Sequence, residues 1–130
     1  MNIELLEKVK EQILREPKQF VIHGWFANEL RKDATEIFGI PKNVKIPNCG
    51  TAACIKGWAA CIVANNKPNQ IPSLSLASCN LCLTKLQEQI LFLFKYWPSQ
   101  FKKIKSEGTI AFARQAARRI DHFIKTNGKE

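Results

Sequence analysis

Several common functional signatures are missing from this sequence. It has two histidines in 130 residues, His23 and His122, so a catalytic thiol or a metal site has little imidazole to draw on. No Gly-Lys-Ser/Thr stands at phosphate-loop spacing, and no helix-turn-helix, zinc-finger or RNA-binding-sheet pattern is present. No apolar run approaches the roughly 20 residues of a membrane span. Met1-Asn2-Ile3-Glu4 carries neither the basic region nor the apolar stretch of a signal peptide. The expectation is a soluble, cytoplasmic protein whose five cysteines are reduced thiols. Their odd number rules out a complete disulfide framework. Internal repeats, low-complexity tracts, coiled-coil heptads and the period-two alternation of several strands are all missing too.

Acidic residues are scarce in the second half. Residues 1–65 hold nine Lys/Arg against seven Asp/Glu, and residues 66–130 hold eleven against four. The net charge of +9 is therefore +2 in the first half and +7 in the second. Such a balance suggests an anionic partner, or a surface kept soluble by lysines. Composition is otherwise that of a globular domain, 45% hydrophobic and 24% charged. The length fits one domain spanning residues 1–130.

The longest apolar stretch runs from Cys49 to Ala64 and is built mostly of small residues. It reads as a buried helix over about 51–64, with Thr51 as its N-cap and only Lys56 and Gly57 interrupting it. Around it the pattern is helical. Asn2 caps a helix to about Glu16, with Ile3, Leu6, Val9 and Ile13 inward, Leu5 and Leu14 at the edges, and Pro17 as the stop. Lys18 to Phe26 reads as an extended or turn segment that buries Phe20 and Trp25. A short helix is expected over 27–38, then a loop, and a second short helix from Ser73 to about Asn80 with Leu74, Ala77 and Leu81 inward. Thr84 and Gln87 form a capping box. The helix they start is expected to bury Leu86, Ile90, Leu93, Phe94 and Trp97 and to end at Pro98. A last helix from Thr109 to about Thr126 buries Ala113, Ala116, Ala117, Ile120, Phe123 and Ile124, and Asn127-Gly128 stops it. The fold class is all-α, a compact bundle or orthogonal array around the central helix.

Two sets of residues can carry chemistry. From Lys95 to Lys129 there are nine basic residues and only Glu107 and Asp121 as acids. Arg114, Arg118 and Lys125 share one face of the last helix, with Arg119 alongside, and Lys102, Lys103 and Lys105 extend the patch. Such a surface neutralises phosphates or carboxylates. The expected function is non-enzymatic: a small basic binding or adaptor protein contacting an anionic macromolecule, nucleic acid or an acidic protein.

The alternative centres on the thiols. Cys49 at a helix start has its thiolate favoured by free N–H groups, with His23 as the available base. Cys49, Cys54, Cys79 and Cys82 can supply four zinc ligands, although only Cys79-x-x-Cys82 has knuckle spacing. Buried structural thiols are the simpler reading, and no cofactor is expected. The free N–H groups at Gly50-Thr51-Ala52-Ala53 can also hold an anion, or Gly50 and the alanines can serve close packing alone.

Cys49-Gly50-Thr51-x-Ala53-Cys54-Ile55-x-Gly57-Trp58-Ala59 resembles a Cys-Gly-Thr-x-Ala-Cys-Ile-Ala-Gly-Trp/His-Ala signature of small proteins encoded by bacteria, cyanobacteria and phages. Pro17-Lys18-Gln19-Phe20 through Trp25, then Leu81-Cys82-Leu83-Thr84, Leu93-Phe94 and Trp97-Pro98, are similar to segments of the same group. The resemblance covers about Pro17 to Pro98. It implies kinship and no particular activity. Two positions depart from it: Lys56 where alanine is usual, and Cys82 where glycine is usual. Cys49 and Cys54 match, and they are close enough in sequence to meet as a redox-labile pair.

Overall fold

The computed structural model describes residues 1–22, 26–27, 52–65 and 74–130. Five helices carry the architecture: α1 (Ile3–Arg15), α2 (Ile55–Asn65), α3 (Leu74–Leu81), α4 (Lys85–Phe92) and α5 (Ile110–Lys125). Short 3-10 turns at Pro17–Gln19, Phe94–Tyr96 and Ser99–Phe101 join them. The fold is all-α, with one two-residue antiparallel pairing among the described residues, β1 (Phe26–Ala27) with β2 (Ala52–Ala53), in the register Phe26 to Ala53 and Ala27 to Ala52. Ala27 is therefore extended and starts no helix. The remainder of the expected helix over 27–38 lies outside the described residues, as do Trp25 and Ser73. The main packing runs α3 on α2, α2 on α1 and α1 on α5.

α1 forms where its cap and its apolar spacing direct it. Asn2 Oδ1 accepts the Leu5 N–H at 3.0 Å, and the Glu4–Lys8 pair closes on the wet side at 2.9 Å. Its buried face is Leu5, Leu6, Val9 and Ile13. Ile3 is exposed instead and Leu5 joins the buried face, while Leu6, Val9 and Ile13 lie inward as expected. Pro17 opens the next 3-10 turn, and α1 ends before it. Asn2 also works in the other direction. Its Nδ2 donates to Asn80 O at 2.9 Å and its N–H to Leu81 O at 2.8 Å. One residue thus caps the start of α1 and the end of α3.

α2 starts later than the sequence suggests. Ala52 and Ala53 are extended, and Cys54 takes the cap position that Thr51 was expected to fill. Cys54 O accepts the Trp58 N–H at 2.9 Å, and Cys54 Sγ accepts the Gly57 N–H at 3.5 Å. Helix α2 is buried over nine of its eleven residues, Lys56 included. The Lys56 ammonium lies 3.3 Å from Glu88 Oε2 and 5.6 Å from the centre of the Phe92 ring, which ties α2 to α4. Trp58 Nε1 donates to Gln19 O at 3.2 Å and fixes α2 against the turn after α1.

The capping box of α4 is formed in both directions, Thr84 to Gln87 and back. The helix behind it is shorter than expected, because the backbone turns extended at Leu93 (φ −97°, ψ 110°). The expected periodic face from Leu86 to Trp97 holds only in part, with Ile90 and Phe94 packed partly buried against the core. Leu86 is 65% and Leu93 40% exposed, and Leu91 and Phe92 fill the core in their place. Trp97 is still buried, delivered by the 3-10 turn and held by Nε1–H donating to Leu91 O at 2.7 Å. Phe94 leans on Trp97 and Phe112, and Phe112 stacks on Phe20 at 5.5 Å.

α5 has Thr109 as its cap and ends in a Schellman motif. Gly128 N–H reaches Phe123 O at 2.8 Å and Asn127 N–H reaches Ile124 O at 3.0 Å. Asn127 sits at φ 54°, which asparagine tolerates, and Gly128 at φ 75°. A Cβ on Gly128 would be strained at this φ and would displace the end of the Gln87 side chain.

Cys82 also holds a left-handed backbone, φ 53°, just beyond α3. Glycine adopts this conformation without Cβ strain. Its thiol contacts only main-chain oxygens of the preceding turn. The expected result of Cys82→Gly is a gain of about 1 kcal/mol in unfolding free energy, read from the urea midpoint at constant slope.

Candidate anion-binding face

α5 separates its cations by side. Half of its sixteen residues are buried, and the arc they cover is wide enough to take Gln115 and Arg119 inward together with the apolar positions. Arg114, Arg118 and Lys125 are exposed on the opposite arc, with Asp121 among them. The spacing i, i+4, i+7 and i+11 lines these four along about 16 Å of helix.

Arg119 therefore does not belong to the surface patch expected from sequence. Its side chain is 0% exposed. Nη1 donates to Glu130 O at 2.6 Å and Nη2 to Ile90 O at 3.1 Å. The guanidinium carbon lies 6.0, 5.9 and 5.7 Å from the ring centres of Trp97, Phe101 and Phe123. Burial lowers its pKa to about 10, with the Glu130 charge opposing the shift, so the group stays cationic at neutral pH. A charge in that setting is structural, held by carbonyl oxygens and aromatic faces.

Gln115, which charge and hydropathy patterns do not single out, organises the basic segment before α5. Its Oε1 accepts the Ile104 N–H and its Nε2 donates to Ile104 O, both at 2.9 Å. This pair pins the chain at Ile104, and Lys103 and Lys105 flank it as exposed residues. Lys102 is drawn back instead, half-buried, with Nζ donating to Lys95 O at 2.6 Å.

Between α1 and α5 lies an open groove of about 570 Å³. Leu14, Ile104, Ala111 and Ala117 give it an aliphatic floor, and Arg114 and Arg118 stand on its wall. Lys10 and Asp121 complete the lining and pair at 2.6 Å. The hydrogen bond Lys10 donates to Asp121, then the one it donates to Glu7, raises the Lys10 pKa. Asp121, the one acid on the stripe, is therefore engaged by α1. Among the described residues no ion pair uses Arg114, Arg118 or Lys125. Sequence reasoning missed Lys10, Leu14 and Ile104, because they join the site only when α1 and residues 102–105 pack against α5.

The thiols are dispersed. Cys54 and Cys61 are buried. Burial raises the Cys54 pKa against its main-chain hydrogen bonds and the Lys56 charge, and burial pushes Cys61 up to about 12. Cys79 and Cys82 are exposed at the end of α3. Among the described residues no group of three or more His, Cys, Asp or Glu is placed to hold a metal ion. Cys49 and His23, the thiol and base of the alternative reading, lie outside the described residues, and so do Gly50 and Thr51. His122 instead pairs with Glu130 Oε2 at 3.0 Å and leans on Phe101. Among the described residues no helix is long and apolar enough to cross a membrane. Compared with protein-family models, with curated proteins and with solved structures, the chain gives no match.

Proposed function

We propose that this protein is a small, non-enzymatic binding protein whose partner is an acidic protein segment, seated along the α1–α5 groove. The observation that carries this reading is the combination of two exposed arginines, whose one acidic neighbour on the stripe, Asp121, is paired with Lys10, with an aliphatic floor. The arginines suit carboxylates, for which a guanidinium fork is matched in geometry. Leu14, Ile104, Ala111 and Ala117 suit apolar side chains on the same segment, as in a helix laid into a groove. A nucleic-acid strand would need phosphate contacts along the whole stripe, which Asp121 interrupts. It would also gain from stacked rings, and among the described residues the groove lining contains none.

A synthetic amphipathic peptide of glutamate and leucine, poly-glutamate, and DNA and RNA in single- and double-stranded form serve as probes. The expected order is the peptide first, poly-glutamate second and nucleic acids last, with affinity falling as salt rises. Arg114→Glu with Arg118→Glu is expected to weaken the peptide about tenfold, roughly 1.4 kcal/mol, and to leave the urea midpoint unchanged. Tighter binding of DNA or RNA than of the peptide would move the function to nucleic acid. Unchanged mobility with every probe at low salt would remove it.

A further inference from the structure

We propose that Cys79 and Cys82 form a thiol–disulfide exchange site, closing an internal disulfide in the presence of a small-molecule disulfide such as oxidised glutathione. The pair stands apart from the groove and from the buried thiols. Both sulfurs are exposed, so a small disulfide can reach either. Asn80 and Leu81 between them are helical. Helical dihedrals at those two residues set the Cα atoms of Cys79 and Cys82 about 5 Å apart, inside the range of roughly 4.4–6.8 Å that a disulfide spans. The left-handed backbone at Cys82 then aims its side chain back over the last turn, where Sγ comes within 3.4 Å of Cys79 O. A cysteine in a conformation that favours glycine is thus turned toward the main-chain oxygen of Cys79, one helical turn before.

The exchange balances in two steps. One of the two thiols loses its proton and attacks a sulfur of oxidised glutathione, forming a mixed disulfide and releasing one glutathione thiolate. The second cysteine loses its proton and attacks the protein sulfur of that mixed disulfide, forming the Cys79–Cys82 bond and releasing the other thiolate. Two protein thiols are oxidised, one small disulfide is reduced to two thiols, and the two protons go to the departing thiolates. The ring so closed contains the carbonyls of Asn80 and Leu81, to which Asn2 is bonded. Oxidation therefore fences the contact that joins α1 to α3.

The experiment incubates the intact chain in glutathione buffers of stepped redox ratio, quenches with acid and reads intact mass and fragment masses. The expected product lacks two hydrogens, carries no glutathione and has its bond between Cys79 and Cys82. Cys79→Ser and Cys82→Ser, both at exposed positions, are each expected to retain one glutathione on the remaining cysteine under the same conditions. A wild-type chain that carries glutathione on both residues would overturn the proposal. A bond joining a different pair of cysteines, or a Cys79–Cys82 pair still reduced where the single variants are modified, would overturn it equally.

Discussion

Arg119→Ala is expected to lower the unfolding free energy by about 3–5 kcal/mol, the largest loss from any single substitution considered for this chain. Three costs combine. Alanine leaves a void among Trp97, Phe101 and Phe123, whose rings face the guanidinium. It leaves the oxygens of Ile90 and Glu130 without the donors they have now. It also uncouples three pieces of chain, since Arg119 is the point where α4, α5 and the residues after α5 share one side chain. Arg119→Met fills most of the space and removes the cost of burying a charge, so its loss is expected to be smaller, about 1–3 kcal/mol. Arg119→Lys keeps the charge but not the planar fork that serves two acceptors, and should fall between them. Urea unfolding of the three variants checks the order. Binding to the acidic peptide, measured where each variant is folded, should not change, because Arg119 does not reach the groove.

Asn2→Ala should cost about 2 kcal/mol. The N-cap of α1 accounts for about half of that and the Nδ2 bond to Asn80 O for the remainder. Two further variants separate the parts. Asn2→Ser retains a capping oxygen and loses the amide donor, with an expected cost of about 1 kcal/mol. Asn2→Asp is as good a cap in an isolated helix and adds a charge favourable to the helix dipole. Here it would turn a carboxylate oxygen toward the Asn80 carbonyl, so it should be no better than serine. If Asn2→Asp matched the parent in a urea melt, the bond across to α3 would carry no weight.

Local signals in the sequence were read well, and signals that depend on distant partners were not. The caps at Asn2, Thr84, Thr109 and Asn127-Gly128 all stand where their residue types place them, because a cap is settled within four residues. The start of α2 was misread for two reasons. A cysteine sulfur is not among the usual capping groups, and the extended state of Ala52-Ala53 comes from pairing with Phe26-Ala27, which lie 26 residues earlier. The expected face of α4 loses Leu93 because the helix stops at Phe92. Periodicity carried past that point, while the chain restarts its phase in a 3-10 turn.

The candidate site was half legible. Arg114, Arg118 and Lys125 fall on one face by helical spacing alone. Arg119 was placed with them because arginine is usually exposed. Its spacing held the contrary signal, three residues after buried Ala116 and four before buried Phe123. Lys56 is a similar case: a charge in an apolar helix, compensated by Glu88 and Phe92 on another helix. Long side chains with polar ends can be buried where the fold brings acceptors, and a single sequence does not reveal those acceptors.

The proposed seat of an acidic, partly apolar segment is the groove between α1 and α5. Mapping backbone amide shifts by NMR while titrating in the glutamate–leucine peptide tests it most directly. The expected perturbations cluster at Lys10, Leu14, Ile104 and from Ala111 to Asp121, and they fade together as salt is raised. Shifts centred elsewhere on the chain, or none at peptide concentrations that saturate other acidic-segment binders, would contradict it.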